Sequence, residues 1–160
     1  MSPMNIVCFG FGQVAKNFIL KLKKNKVFFK LTTTSREESK NKKFENIKYE
    51  SFQFTETSFD KNFISKLEEA DHVLLSIAPQ NGNDIVINKF KDYFKSKKIK
   101  WITYLSATSV YGNHNGEWVD ENSETKPTSS NGIERLKAEK DWMELASKFD
   151  LPLQIFRLSG

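Results

Sequence analysis

The sequence holds one cysteine and two histidines, and no apolar run in it approaches the roughly 18 residues that a membrane span requires. Cys8 alone excludes an internal disulfide, and His72 and His114 lie too far apart to form a zinc site of usual spacing with it. No metal is expected, no membrane partner, and the cytoplasm is the expected location. The chain passes at once into Met4-Asn5-Ile6-Val7-Cys8-Phe9, too short for the apolar region of a signal peptide and without its basic start. Internal repeats and low-complexity linkers are also missing, which excludes solenoid and tethered architectures.

What is present is core. Of 160 residues, 38% are hydrophobic and 14 are Phe, so disorder is not expected despite the 28% that are charged. This length suits one domain, 1–160, burying roughly two-thirds of its unfolded surface. Lysine and arginine outnumber the acids for a net charge of +5. The excess sits in clusters (Lys21, Lys23, Lys24, Lys26; Lys40, Lys42, Lys43; Lys95, Lys97, Lys98, Lys100) placed at predicted helix ends and loops, where lysines stay solvated. No aromatic-interleaved motif accompanies them, so nucleic acid is not an expected partner.

Short apolar runs alternate with segments of helical period, the pattern of crossover units on a parallel sheet. Strands are predicted near 4–9, 27–33, 47–53, 72–77, 100–106 and 152–157, with helices near 13–24, 60–69, 83–97 and 130–148. The first, fourth and fifth strands are nearly continuous apolar runs and belong in the middle. The third, Ile47-Lys48-Tyr49-Glu50-Ser51-Phe52, carries charge and suits the outer position. The expected fold is α/β, a Rossmann-type doubly wound parallel sheet of about six strands in the order 3-2-1-4-5-6. The longest stretch without a predicted element, 107–127, is rich in Gly, Asn, Ser and Thr, as functional loops often are.

After the first strand comes Gly10-Phe11-Gly12-Gln13-Val14-Ala15, leading into a helix. In that context Gly10 allows the tight turn, Gly12 lets backbone approach a pyrophosphate, and Ala15 keeps helix and strand close. The first helical N–H groups complete an anion site, giving Gly10, Phe11, Gly12, Gln13 and Val14 as dinucleotide contacts. At the end of the second strand stands Leu31-Thr32-Thr33-Thr34-Ser35-Arg36. An acid there would take the ribose hydroxyls of NAD, whereas an arginine suits a 2′-phosphate. Arg36 therefore favours NADP over NAD, while the neighbouring Glu37 and Glu38 keep NAD open.

Further along stand Leu105-Ser106-Ala107-Thr108-Ser109-Val110-Tyr111-Gly112, Trp118-Val119-Asp120-Glu121, Lys126-Pro127-Thr128, Asn131-Gly132-Ile133-Glu134-Arg135-Leu136-Lys137-Ala138-Glu139 and Arg157-Leu158-Ser159-Gly160. This series resembles the extended and atypical short-chain dehydrogenase/reductases, the NAD-dependent epimerase/dehydratase family, over the whole chain. The resemblance implies a dinucleotide flanked by Ile77, Ala78, Pro79 and Ser106, and a nucleotide-sugar or related carbonyl substrate. It further implies hydride transfer assisted by a Ser or Thr, a Tyr and a Lys.

At those three positions this chain has Ala107, Asn131 and Arg135. An asparagine amide does not titrate, and an arginine does not readily release its proton. Thr108, Tyr111, Asn131 and Arg135 remain as candidates for the catalytic positions, with Tyr104 a second surviving phenol and His114 a loop histidine near the presumed site. Asp120 and Glu121 either line the substrate side or cap their loop. The family continues well beyond this length, so the substrate lobe is expected to be absent, and apolar surface beside the sixth strand could promote a homodimer. Two functions are thus open: an oxidoreductase or epimerase of the atypical subgroup, and a non-catalytic dinucleotide sensor or scaffold.

Overall fold

The apolar runs named above become the middle of a seven-stranded sheet in the computed structural model, which describes residues 2–95 and 98–159. Its strands are β1 (Met4–Phe9), β2 (Phe29–Ser35), β3 (Lys40–Phe44), β4 (Ile47–Gln53), β5 (His72–Leu75), β6 (Trp101–Ala107) and β7 (Leu153–Leu158). The helices are α1 (Gln13–Lys24), α2 (Phe63–Glu68), α3 (Ile85–Phe90) and α4 (Ser130–Phe149). The spatial order is β3-β4-β2-β1-β5-β6-β7, with every pairing parallel except β3 with β4. The six anticipated strands therefore keep their relative order in a Rossmann-like sheet, and β3 is an addition at its edge.

Strand alternation separates two cores. Val7, Phe9, Val73, Leu75, Ile102 and Tyr104 face one way, onto Phe63, Leu67, Phe90 and Trp142 of α2, α3 and α4. Phe9 is central there, its ring 5.2 Å from that of Phe63 and 5.4 Å from that of Phe90. Each such pair contributes about 0.5–1.5 kcal/mol beyond its buried area. Ile6, Cys8, Leu31, Leu74 and Leu105 face the other way, with Ala15 and Ile19 of α1. On that face Leu74, Thr103, Leu105 and Phe156 line an open groove of about 380 Å³, walled on one side by Val14, Phe18 and Leu22 of α1.

Five expectations are corrected. The sheet has seven strands, and the run 47–53 lies one place in from the edge because β3 pairs outside it. Lys40, Lys42 and Lys43 sit on that strand rather than in a loop or at a helix end. The helix expected at 83–97 begins only at Ile85, since Asn81 (φ 53°) and Gly82 (φ 72°) form a left-handed turn and the Asp84 carboxylate caps Val86 N and Ile87 N. It ends at Phe90 in a tight turn over Lys91–Tyr93, and Lys97 lies outside the described residues, as does Gly160. The helix expected at 60–69 starts at Phe63 because Asp60 accepts Asn62 N at 3.0 Å in a side-chain turn. Among the described residues no helix is long and apolar enough to cross a membrane, and no group of three acids, thiols or imidazoles could hold a metal.

Candidate functional site

The turn from β1 into α1 is built around Gly10 at φ 83°, a left-handed conformation costly for any residue with a side chain. A Cβ there would also stand 3.2 Å from Ile77 Cγ1. Its N–H donates to Thr34 Oγ1 at 3.1 Å, tying the turn to the end of β2. Gly12 is the N-cap of α1 and supplies no side chain to the first-turn N–H groups. A Cβ at Gly12 would meet nothing within 4 Å. The helix thus opens with free donors, positive partial charge and a clear approach, the requirements of an anion cradle.

Below this turn Gly10, Phe11, Arg36, Ile77 and Ala78 line one cleft of about 500 Å³, together with Thr34 and Ser35. The sequence-predicted contacts at the strand ends are therefore brought together. Gln13 and Val14 lie in the exposed first turn of α1, and Val14 also borders the apolar groove on the α1 face of the sheet. At Ala78 a second cleft begins, of about 290 Å³, lined by Pro79, Ala107, Ser109, Ser129, Asn131 and Arg135. Thr108 and Tyr111 belong to a third, of about 580 Å³, with Asp120, Glu121 and Arg157. The four catalytic candidates are thus divided, Asn131 and Arg135 in one cleft, Thr108 and Tyr111 in the other.

Glu37, next to Arg36, is bound by Lys42 at 2.8 Å and Lys40 at 2.9 Å. Hydrogen bonds from Lys42 and then Lys40 pull its pKa down to about 2. Arg135 donates its guanidinium to the Leu105 carbonyl. Burial pushes the Tyr104 phenol up to about 12, so it carries no proton traffic near neutrality. His114 Nε2 lies 3.1 Å from the Tyr111 carbonyl and 3.0 Å from that of Glu124, which makes it a brace of its own loop. The Ser106 hydroxyl is buried and donates to Glu139 Oε1 at 2.5 Å, so its side chain points into the α4 contact.

Several functional-looking contacts escaped the sequence. Glu139 is fully buried and paired with Arg157, whose guanidinium lies 4.8 Å from the Tyr111 ring centroid. The signal was present, since Glu139 falls on the same helical stripe as Ala138, Trp142 and Leu145. Glu134 and Lys137 of α4 hold Gly82 N and Gly82 O, and Trp142 Nε1 donates to Asp84 at 2.9 Å, so α4 fixes the loop that leads on from Pro79. Nothing local in the sequence pairs residues so far apart.

The Gly-x-Gly turn follows the carboxyl end of β1, and the cleft beside it crosses the carboxyl ends of β1, β2 and β5, where doubly wound sheets in general take their ligands. The fold is shared with UDP-sugar epimerases. UDP-glucuronic acid 4-epimerase from Bacillus cereus, solved in complex with NAD, superposes with a TM-score of 0.76 at 19% identity, covering 98% of this chain and 56% of that one. UDP-N-acetylglucosamine 4-epimerase from Methanobrevibacter ruminantium M1 gives 0.74 at 19%, covering 98% and 55%. A functionally unknown conserved protein from Silicibacter pomeroyi gives 0.76 at 28%, covering 97% and 52%. This chain therefore spans about half the length of the structures it matches. No family model matches the sequence, and no curated protein does.

Proposed function

We propose that this chain is the nucleotide-binding domain of an atypical short-chain dehydrogenase/reductase, binding NADP in preference to NAD and working in the cytoplasm on a nucleotide sugar or related carbonyl compound. The observation that carries the reading is the glycine turn itself, open at Gly12, whose Gly10 and Phe11 line a cleft with Ile77 and Ala78 that meets the cleft of Asn131 and Arg135 at Ala78. Gly10, Phe11, Gly12 and the first N–H groups of α1 would hold the pyrophosphate. Arg36 would face the adenosine ribose, and Ala78 and Pro79 would flank the nicotinamide ribose.

When bound, the dinucleotide supplies or accepts hydride. The chain's own contribution is to bind and orient. Asn131 and Arg135 can donate hydrogen bonds to ribose or substrate oxygens, but neither can exchange a proton near neutrality. That composition of the nicotinamide-side cleft favours a second reading, a non-catalytic dinucleotide sensor or scaffold. Asp120, Glu121 and Arg157 give the third cleft a polar lining suited to a hydroxylated substrate. Exposure of Trp101 (43%) and Phe156 (47%) at the apolar groove supports self-association, which sedimentation of Phe156→Lys would test.

Titration of the purified chain with NADPH and NADH tests the proposal. Saturable binding of both, tighter for NADPH, is expected. Binding of neither would remove the dinucleotide reading altogether, and binding without turnover of any UDP-sugar would favour the sensor.

A further inference from the structure

The edge strand β3 lies beside the adenosine end of the cleft and has no counterpart in the expected topology. Its position is fixed from several directions. The Phe44 ring meets Phe11 of the phosphate turn edge-on at 5.5 Å, and Tyr49 of β4 meets the same Phe11 ring at 5.2 Å. Lys16 of α1 lies 5.6 Å above Phe44, and Lys23 donates to the Glu45 carbonyl at the hairpin turn. The loop from β2 into β3 is held at its far end, where the Ser39 hydroxyl donates to Asp60 at 2.6 Å and accepts Gln53 N at 2.9 Å.

Lys40, Lys42 and Phe44 alternate along β3 and so share one face. While Phe44 turns that face toward Phe11, Lys40 and Lys42 turn it toward Glu37. Glu37 follows Arg36, which lines the cleft, and is the first carboxylate after β2. A carboxylate at this place in the fold accepts the two ribose hydroxyls of NAD and repels a 2′-phosphate. Both lysines occupy it instead.

We propose, resting on the dinucleotide reading above, that β3 is a specificity-determining element in which Lys40 and Lys42 hold the Glu37 carboxylate away from the adenosine ribose, leaving Arg36 to select a 2′-phosphate. The lysines act through Glu37 and are positioning residues. Their loss has a signature that simple removal of positive charge lacks. Lost charge weakens both polyanionic cofactors, whereas a freed Glu37 strengthens NADH.

The test is calorimetric titration of the whole chain, of K40Q/K42Q and of E37Q/K40Q/K42Q with NADH and NADPH at low salt. In K40Q/K42Q, NADH should bind about three-fold tighter and NADPH weaker, the scale of a surface ion pair. Adding Glu37→Gln should return NADH to the wild-type affinity. NADH affinity that stays unchanged or falls together with that of NADPH in K40Q/K42Q would overturn the proposal while leaving the dinucleotide site standing. Failure of the unaltered chain to bind either cofactor would overturn that site and this inference with it.

Discussion

Arg157 and Glu139 meet across the end of the sheet, with Nε and Nη2 donating to the two carboxylate oxygens at 3.1 and 2.8 Å and Glu139 fully buried. The pair joins α4 to β7 and places the guanidinium against the Tyr111 ring. A buried carboxylate deprived of its cation keeps its desolvation cost. Arg157→Met should therefore lower stability by about 3–5 kcal/mol in urea unfolding. A loss below about 1 kcal/mol, the range of exposed pairs, would contradict this role for the pair.

Ser106 gives a second prediction. Its hydroxyl is committed to the same carboxylate, so Ser106→Ala removes a hydrogen bond to a buried charge and should cost about 2 kcal/mol. Dinucleotide affinity should not change. A loss of affinity with unchanged stability would contradict this and identify Ser106 as a cofactor contact.

Phe44→Ala removes the edge-on ring that backs Phe11 in the phosphate turn. An aromatic pair is worth about 0.5–1.5 kcal/mol, so dinucleotide binding should weaken by up to about ten-fold, measured by titration. Phe44→Tyr should retain wild-type affinity. Equal affinities in all three proteins would mean that the turn stands without the hairpin.

Much of this arrangement was legible because it is local or periodic. Gly10 and Gly12 could be read from the requirements of one turn, and the middle strands from runs such as Val73-Leu74-Leu75 that are buried on both faces. Lys40-Asn41-Lys42-Lys43-Phe44 hid β3, since an edge strand tolerates lysines that a propensity argument assigns to a loop. For the same reason Lys48 and Glu50 suggested that β4 was outermost. Glu139 stood on the buried stripe of α4, but its pairing could not be read, because Ser106 and Arg157 lie 33 and 18 residues away. Glu37, with Glu38, kept NAD open beside Arg36, and nothing in the run itself announced its ion pairs with Lys40 and Lys42 of β3.

Asp84 carries a pH dependence. Burial is the largest influence on it and raises its pKa above the ordinary 3.8, against the opposing hydrogen bonds of Trp142, Ile87 and Val86. Between 3.8 and the raised folded value the native state holds more protons than the unfolded one, so this group's contribution falls as pH rises through that window. The stability of wild type relative to Asp84→Asn, from urea midpoints across pH, should thus be most favourable at the acid end and decline upward. A difference that grows with pH would contradict the burial-dominated account.

Gly12→Asp tests the central claim most directly, because the dinucleotide site and the stability of the fold separate there. Gly12 has φ −82° and open space where a Cβ would stand, and aspartate is a good N-cap, so the variant should melt at or above the wild-type temperature. Its carboxylate would nevertheless occupy the anion cradle. Calorimetric titration with NADPH should show at least about ten-fold weaker binding for Gly12→Asp than for the unaltered chain, the loss expected for about 1.4 kcal/mol. The same Kd in both proteins would contradict the assignment of this turn as the dinucleotide site.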